Sequence, residues 1–461
     1  MNRKLIPAIL AVTFFALTLG AQQAPPKPGP AKPFNLPGVE EFTLDNGLEV
    51  RMVQWGTVPK ATVRLVVQTG NADESANQIW LADLMADLLE QGTTTRTSEE
   101  VALELARMGG NLNVGVGMNT TQIGTDVLSP FAADAVEIVA DVATHPAFPE
   151  SELDRLRNDL LRNLSVAKTQ PQQLALEAYT RIVYPDHAYG RIFPTEAMIN
   201  GYSLADVRKF WNDQFGATRS WLYVVGQFDA SEVRTAIREE FSSWKAGTEA
   251  KRISLEPKPY AGLWLVDRPG SVQSTLRVGQ RVVDPTSQEQ LALTLTNTLL
   301  GGYFSSRVTA NIREDKGYTY SPGSSISSNL GAATYTQVAD VTTAFTGPSL
   351  KEIFYEIDRL QKEAPPQAEL DAARNYMIGV FVLQNSSRSG IIGQLNYMDL
   401  HQLSDDYLET FIPRLQRLTP EDIRKTAAKY LGRDKMTIVV VGDRAEIEEQ
   451  IKPYGKIQII P

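Results

Sequence analysis

The chain has no cysteine and only three histidines, His145, His187 and His401. The first absence excludes disulfides and thiolate metal ligands. The second is as restrictive, because no two histidines lie within one helical turn, so no helix offers the paired imidazoles of a catalytic zinc site. Basic residues are also in deficit: 45 Lys and Arg stand against 54 Asp and Glu, a net charge of −9. With no basic cluster to offset that balance, nucleic acid is not an expected partner.

Long apolar runs are scarce. Leu5 to Ala21 follows the basic Asn2-Arg3-Lys4 and ends in the small residues Leu19-Gly20-Ala21. This pattern predicts a cleavable secretory signal over residues 1–21. The run is short for a spanning helix, so no stable membrane insertion is expected after cleavage. Without a cysteine near the cleavage point the chain is not a lipoprotein, and export without disulfides suits a bacterial periplasm. Residues 22–40 hold Pro25, Pro26, Pro28, Pro30, Pro33 and Pro37, a density that favours extended polyproline II and reads as a semi-rigid linker.

What is present is a large body with an internal repeat. Asp206-Val207-Arg208-Lys209 leads, twenty residues on, into the apolar run Leu222 to Val225 that stops at Gly226. Asp422-Ile423-Arg424-Lys425 leads in the same way into Val439 to Val441 and Gly442, an offset of 216 residues. The offset sets the domain size. It predicts an N-terminal domain over 41–247, a linker over 248–259 and a C-terminal domain over 260–461. Within a copy, Leu48 to Gln54 and Ala61 to Thr69 read as strands. Thr97 with Glu100 forms a capping box for a helix that Gly109-Gly110 ends. Leu112 to Met118 and Gln122 to Val127 read as a hairpin, and Ser129-Pro130 as the N-cap and first residue of the next helix. The order gives an α+β fold: antiparallel sheets with helices on one face.

Several segments carry a family resemblance. Leu44-Asp45-Asn46-Gly47-Leu48-Glu49-Val50, Gln68 to Glu74, Gln91-Gly92-Thr93, Gly109 to Asn113 and Asp267 to Ser274 occur in order. They are followed by Gly301-Gly302-Tyr303-Phe304-Ser305-Ser306-Arg307 and by Arg313-Glu314-Asp315-Lys316-Gly317-Tyr318-Thr319-Tyr320. Together they resemble the pitrilysin-like inverzincin (M16-type) metallopeptidases, whose zinc helix reads H-x-x-E-H. The resemblance implies two similar α/β-roll domains packed as a half-clamshell. It also implies Arg313 and Tyr320 as catalytic residues, and Gly301, Gly302 and Ser305 as substrate-binding residues.

The same resemblance places the two zinc histidines at Asp83 and Asp87, the general base at Ala86 and the third ligand at Asn163. None of the four is kept. Oxygen ligands would suit Ca²⁺ or Mg²⁺ better than zinc, but Asp83 and Asp87 read more simply as solvated positions on a helix over Ile79 to Gln91. The expectation is therefore no metal in this chain, with zinc in a partner. The expected function is that of a non-zinc subunit in a heterodimeric periplasmic zinc metallopeptidase acting on peptides. The alternative is an inactive pseudopeptidase that binds peptides or acts as a scaffold. On residue type alone, Arg313 could be a surface arginine paired with Glu314 or Asp315, Tyr320 a half-buried strand tyrosine, and Gly301-Gly302 a helix stop.

Overall fold

The computed structural model describes residues 29, 34–36, 38–250 and 253–460. The signal segment and most of the proline-rich stretch lie outside the described residues. Among these residues no helix is long and apolar enough to cross a membrane.

Two six-stranded sheets organise the body. The first contains β1 (Val39–Thr43), β2 (Glu49–Gln54), β3 (Lys60–Val67), β4 (Asn113–Val116), β5 (Thr121–Leu128) and β6 (Ser220–Gly226), in the order β1-β2-β6-β3-β5-β4. The second contains β7 (Gly262–Asp267), β8 (Gln273–Val282), β9 (Gly323–Asn329), β10 (Ala332–Thr342), β11 (Thr437–Gly442) and β12 (Ile457–Ile460), in the order β12-β7-β11-β8-β10-β9. Five strands correspond between the sheets; the sixth does not. β1 enters from the N-terminal side and pairs antiparallel with β2, whereas β12 enters from the C-terminal side and pairs parallel with β7.

The α+β class with two tandem domains is therefore the observed architecture. The sheets carry more detail than the sequence implied. Most pairings are antiparallel, but β2–β6, β7–β11 and β7–β12 are parallel. In each repeat the helix before the last-added central strand opens with a capping box whose aspartate is the third helical residue: Ser203 with Asp206, and Thr419 with Asp422. Thr97 and Glu100 form the expected box as well. Ser129 does not cap. Its hydroxyl is buried without a hydrogen bond, and Ser129–Phe131 forms a 3₁₀ turn before the helix Ala132–Thr144.

The sheets are also covered on both faces, and the second cover is exchanged between the halves. In the first sheet, Val50, Met52, Val63, Leu65, Leu222 and Val224 build the core of their own half. On the reverse face, Val53, Val66, Trp221, Tyr223 and Val225 pack against Ile391, Ile392 and Leu395, which lie on the helix Arg388–His401 of the second half. Reciprocally, Val439 and Val441 of β11 pack against Ala175, Ala178, Tyr179 and Val183, on the helix Pro171–Val183 of the first half. Each large apolar side chain buried in this way contributes roughly 1.5–3 kcal/mol. Polar contacts fix the register: Arg388 donates to Asp126 at 2.8 and 3.0 Å, and the Tyr223 hydroxyl donates to Asp399 at 2.6 Å. Ahead of β1, Phe34 packs edge-on against Phe381 with ring centres 5.1 Å apart.

Candidate functional site

The two motif segments of the second half depart from ordinary helix. The helix Gln290–Asn297 runs into a π-wound turn over Thr298–Gly302, and a second π-wound segment covers Thr309–Asp315. Wider turns of this kind are uncommon and concentrate at functional sites.

Gly301 is buried, and its role in packing is plain. A side chain there would begin 2.6 Å from both Gln337 Oε1 and Ser324 Oγ, on β10 and β9. A side chain on half-buried Gly302 would begin 2.9 Å from Asn297 Nδ2. Gly301 thus lets the turn lie flat on the sheet, and Gly302 lets it fold back on Asn297. Ser305 is exposed, while Ser306 is buried and donates to Thr309 Oγ1 at 3.0 Å. Arg307 anchors the loop through two bonds to Glu369, at 2.6 and 2.8 Å. That fork-to-fork geometry fixes both partners.

Beyond the loop, Arg313 and Tyr320 come together. The guanidinium of Arg313 lies over the Tyr320 ring at 4.8 Å and over the Phe304 ring at 4.6 Å. Its Nε is also 3.2 Å from Glu314. Gly317 has φ of +66°, which allows the reversal that returns Tyr320 to Arg313. Tyr320 is 80% exposed and Phe304 62%, so the stack faces solvent rather than the core. Tyr318 behaves differently: it is half-buried, stacked on Phe345 at 4.5 Å. Phe304 is the residue that sequence reading overlooked, although it sits inside the Gly301–Arg307 motif.

The helix that carries Asp83 and Asp87 spans Leu81–Leu89, and its N-cap Trp80 has φ of 68°, in the left-handed region. Asp83 and Asp87 are not solvated as expected; both are half-buried. Asn71 Nδ2 donates to Asp83 at 2.7 Å and to Glu74 at 3.2 Å. Glu74, only 6% exposed, also accepts from the backbone of Trp80 and Ala82 at 3.1 and 2.8 Å. Burial pushes the Glu74 carboxyl up to about 8 and the Asp83 carboxyl upward too. Burial, reinforced by Asp83, Glu90 and Asp159, pushes Asp87 up to about 6. Glu74 was marked in the sequence only as the last residue of the Gln68 to Glu74 segment.

This arrangement does not fit zinc. Ala86 is buried and carries no base, and Asn163 is exposed on the helix Glu150–Thr169. Among the described residues, no three His, Asp or Glu side chains converge as a metal-binding group. Carboxylates held in protonation-prone surroundings, with one already bonded to Asn71, are poor substitutes for two neutral imidazoles.

Similarity to known proteins agrees with the paired motifs and the doubled fold. Residues 52–194 match the family described as Insulinase (Peptidase family M16), and residues 202–377 the family described as Peptidase M16 inactive domain. An uncharacterized zinc protease of Rickettsia bellii is 26% identical over 333 residues, covering 72% of this chain and 80% of that protein. A peptidase M16 inactive domain from Pseudomonas fluorescens, solved by crystallography, superimposes with a TM-score of 0.82 at 24% identity, covering 88% of this chain and 98% of that one. A protease from Helicobacter pylori gives a TM-score of 0.81 at 20% identity, covering 88% and 100%. The fold and its motifs define a chain of the two-domain peptidase type. It belongs to the pitrilysin-like M16 peptidase family.

Proposed function

We propose that this chain is the non-zinc subunit of a heterodimeric periplasmic metallopeptidase. In this reading it lends Arg313 and Tyr320 to a zinc site carried by a homologous partner, and is inactive alone. The observation that carries it is the exposed Phe304–Arg313–Tyr320 stack, which coexists with a first half unsuited to zinc. The stack leaves a cation and a phenol open to a second body that supplies the reacting group.

The roles follow from charge. Peptide hydrolysis makes an oxyanion at the scissile carbonyl, and a preorganised hydroxyl such as that of Tyr320 donates to it. The Arg313 guanidinium holds a backbone carbonyl of the peptide in register. Gly301 and Gly302 keep the loop low enough for a peptide to pass, and exposed Ser305 offers it a hydroxyl. The metal, when bound by the partner, supplies Lewis acidity and an activated water; this chain supplies binding and orientation.

The test is reconstitution. The chain, mixed with an exported H-x-x-E-H relative from the same genome, is expected to form a 1:1 complex on size-exclusion chromatography and to cleave an unfolded peptide that neither protein cleaves alone. No association at micromolar concentration, or a relative fully active by itself, favours the pseudopeptidase reading instead.

A further inference from the structure

A pocket of about 280 Å³ opens between the helices Gln290–Asn297, Gln367–Gln384, Arg388–His401 and Tyr407–Arg417. Its walls include Leu291, Met377 and Val380 and the rings of Tyr376, Phe381, Tyr397, Tyr407 and Phe411, with Gln and Thr side chains completing it. None of its lining residues is charged. Four other cavities on the described surface all carry charged side chains: Asp73 and Arg219 in one, Asp406 and Arg414 in the next, then Arg433 and Asp434, and finally an acidic set with Glu137 and Glu240. In a chain of net charge −9, an uncharged aromatic lining sets this pocket apart.

We infer that this pocket receives an aromatic side chain of the peptide bound at the Arg313–Tyr320 site; the inference rests on the function proposed above. Size is the first argument. The volume falls just below the ~300–1,000 Å³ typical of ligand pockets, which suits one side chain and not a cofactor. Chemistry is the second. A charged group would find no counter-ion among the lining residues and would be desolvated without compensation, whereas aromatic rings find edges and faces to meet. The chain already shows this preference, since Phe34 lies edge-on to the wall residue Phe381, and Phe411 stacks on it at 4.5 Å.

Position is the third argument. Tyr376, 44% exposed at the rim, lies 5.1 Å ring-to-ring from Tyr303, the neighbour of Phe304 in the motif loop. Thr298, which begins the π-wound turn that ends at Gly302, is part of the pocket wall. The pocket is thus continuous with the loop that carries the proposed substrate contacts. Phe304, which meets Arg313, and Tyr303, which meets Tyr376, are neighbours in one loop, so a peptide bound along that loop links the two.

The test uses the isolated full chain and needs no hydrolysis. Two end-blocked nonapeptides of equal charge, one with a central Phe and one with Ser in its place, are titrated by calorimetry. Burial of one aromatic ring predicts at least about tenfold tighter binding of the Phe peptide. Val380→Glu, which puts a charge in the wall, should abolish that preference. Tyr376→Glu at the exposed rim should do the same, and it guards against a misfolded Val380 variant. Equal affinities for the two peptides, or a preference that survives both variants, overturns the inference. A Phe preference without activity in the reconstituted complex keeps the pocket and removes the subunit role; activity without any Phe preference does the reverse.

Discussion

The guanidinium carbon of Arg313 stands 4.8 Å from the centre of the Tyr320 ring. Phenylalanine at 320 would keep that stack, so Tyr320→Phe isolates the hydroxyl. In the reconstituted complex kcat is expected to fall by roughly 10² to 10³, the loss typical of an oxyanion donor. Arg313→Ala should also reduce turnover, with a raised KM if it holds substrate in the ground state. Tyr318→Phe keeps the stacking on Phe345 and should be nearly silent. Equal small effects from both tyrosine changes would remove Tyr320 from the chemistry.

The isolated chain should carry substoichiometric zinc and cleave no peptide. Elemental analysis and a chelator-sensitive peptidase assay check this directly, and stoichiometric zinc with activity would refute it. Restoring Asp83→His, Ala86→Glu, Asp87→His and Asn163→Glu together is expected to recover metal binding more readily than activity. Asn71, Glu74 and the backbone of Trp80 and Ala82 are now bonded to one another and to Asp83, and they would not orient new histidines.

The acidic helix makes a pH prediction. The folded value for Asp87, about 6, lies above the unfolded value of about 3.9. The folded chain therefore holds this proton more tightly, so the Asp87 contribution to stability falls as pH rises from about 4 to 6 and then levels off, while Glu74 carries the decline on to about 8. Arg155 opposes the effect without cancelling it. Asp87→Asn should remove the Asp87 part of this slope and stabilise the chain by about 1–2 kcal/mol at pH 7.5, a figure reduced for partial exposure, with little change at pH 4. Urea unfolding at the two pH values measures both. An equal gain at each would show that protonation is not the cause.

Glu369→Ala should destabilise more than an ordinary surface change. It strands Arg307, whose side chain is only 6% exposed, without its two-pronged partner. Breaking a buried pair costs about 3–5 kcal/mol, and the partial exposure of Glu369 lowers the expectation to about 2–3 kcal/mol. Denaturant midpoints measure this. A loss below about 0.5 kcal/mol would mean that the motif loop does not depend on this anchor.

Much of the fold could be read from local chemistry. Asp206 and Asp422 announce the repeat because a capping box is a short-range device, complete within four residues. The resemblance singled out Arg313 and Tyr320, and the turn at Gly317 explains how their spacing becomes contact. Phe304 was not, because its stacking on Arg313 depends on the loop and the later segment meeting in space. Glu74 reads as one more acid in an Asn-Ala-Asp-Glu stretch; only the return of the chain at Trp80 buries it. Asp83 and Asp87 misled for a related reason, since helical spacing tells which residues share a face but not what covers that face. The exchange of helices is the least legible feature. Apolar positions on Pro171–Val183 and Arg388–His401 demand a sheet, yet nothing local says which of two equivalent sheets will take them.

That exchange makes the two repeats an intramolecular dimer that cannot be dissected by cutting between them. A fragment ending near residue 247 would leave Trp221, Tyr223 and Val225 bare on the reverse of its sheet. The complementary fragment would leave Val439 and Val441 uncovered. A protease nick in the join should thus leave both pieces clasped together, each sheltering the other's sheet, while either piece made alone should aggregate. Cooperative unfolding would then span both repeats, so a lesion in one is felt as a loss of the whole.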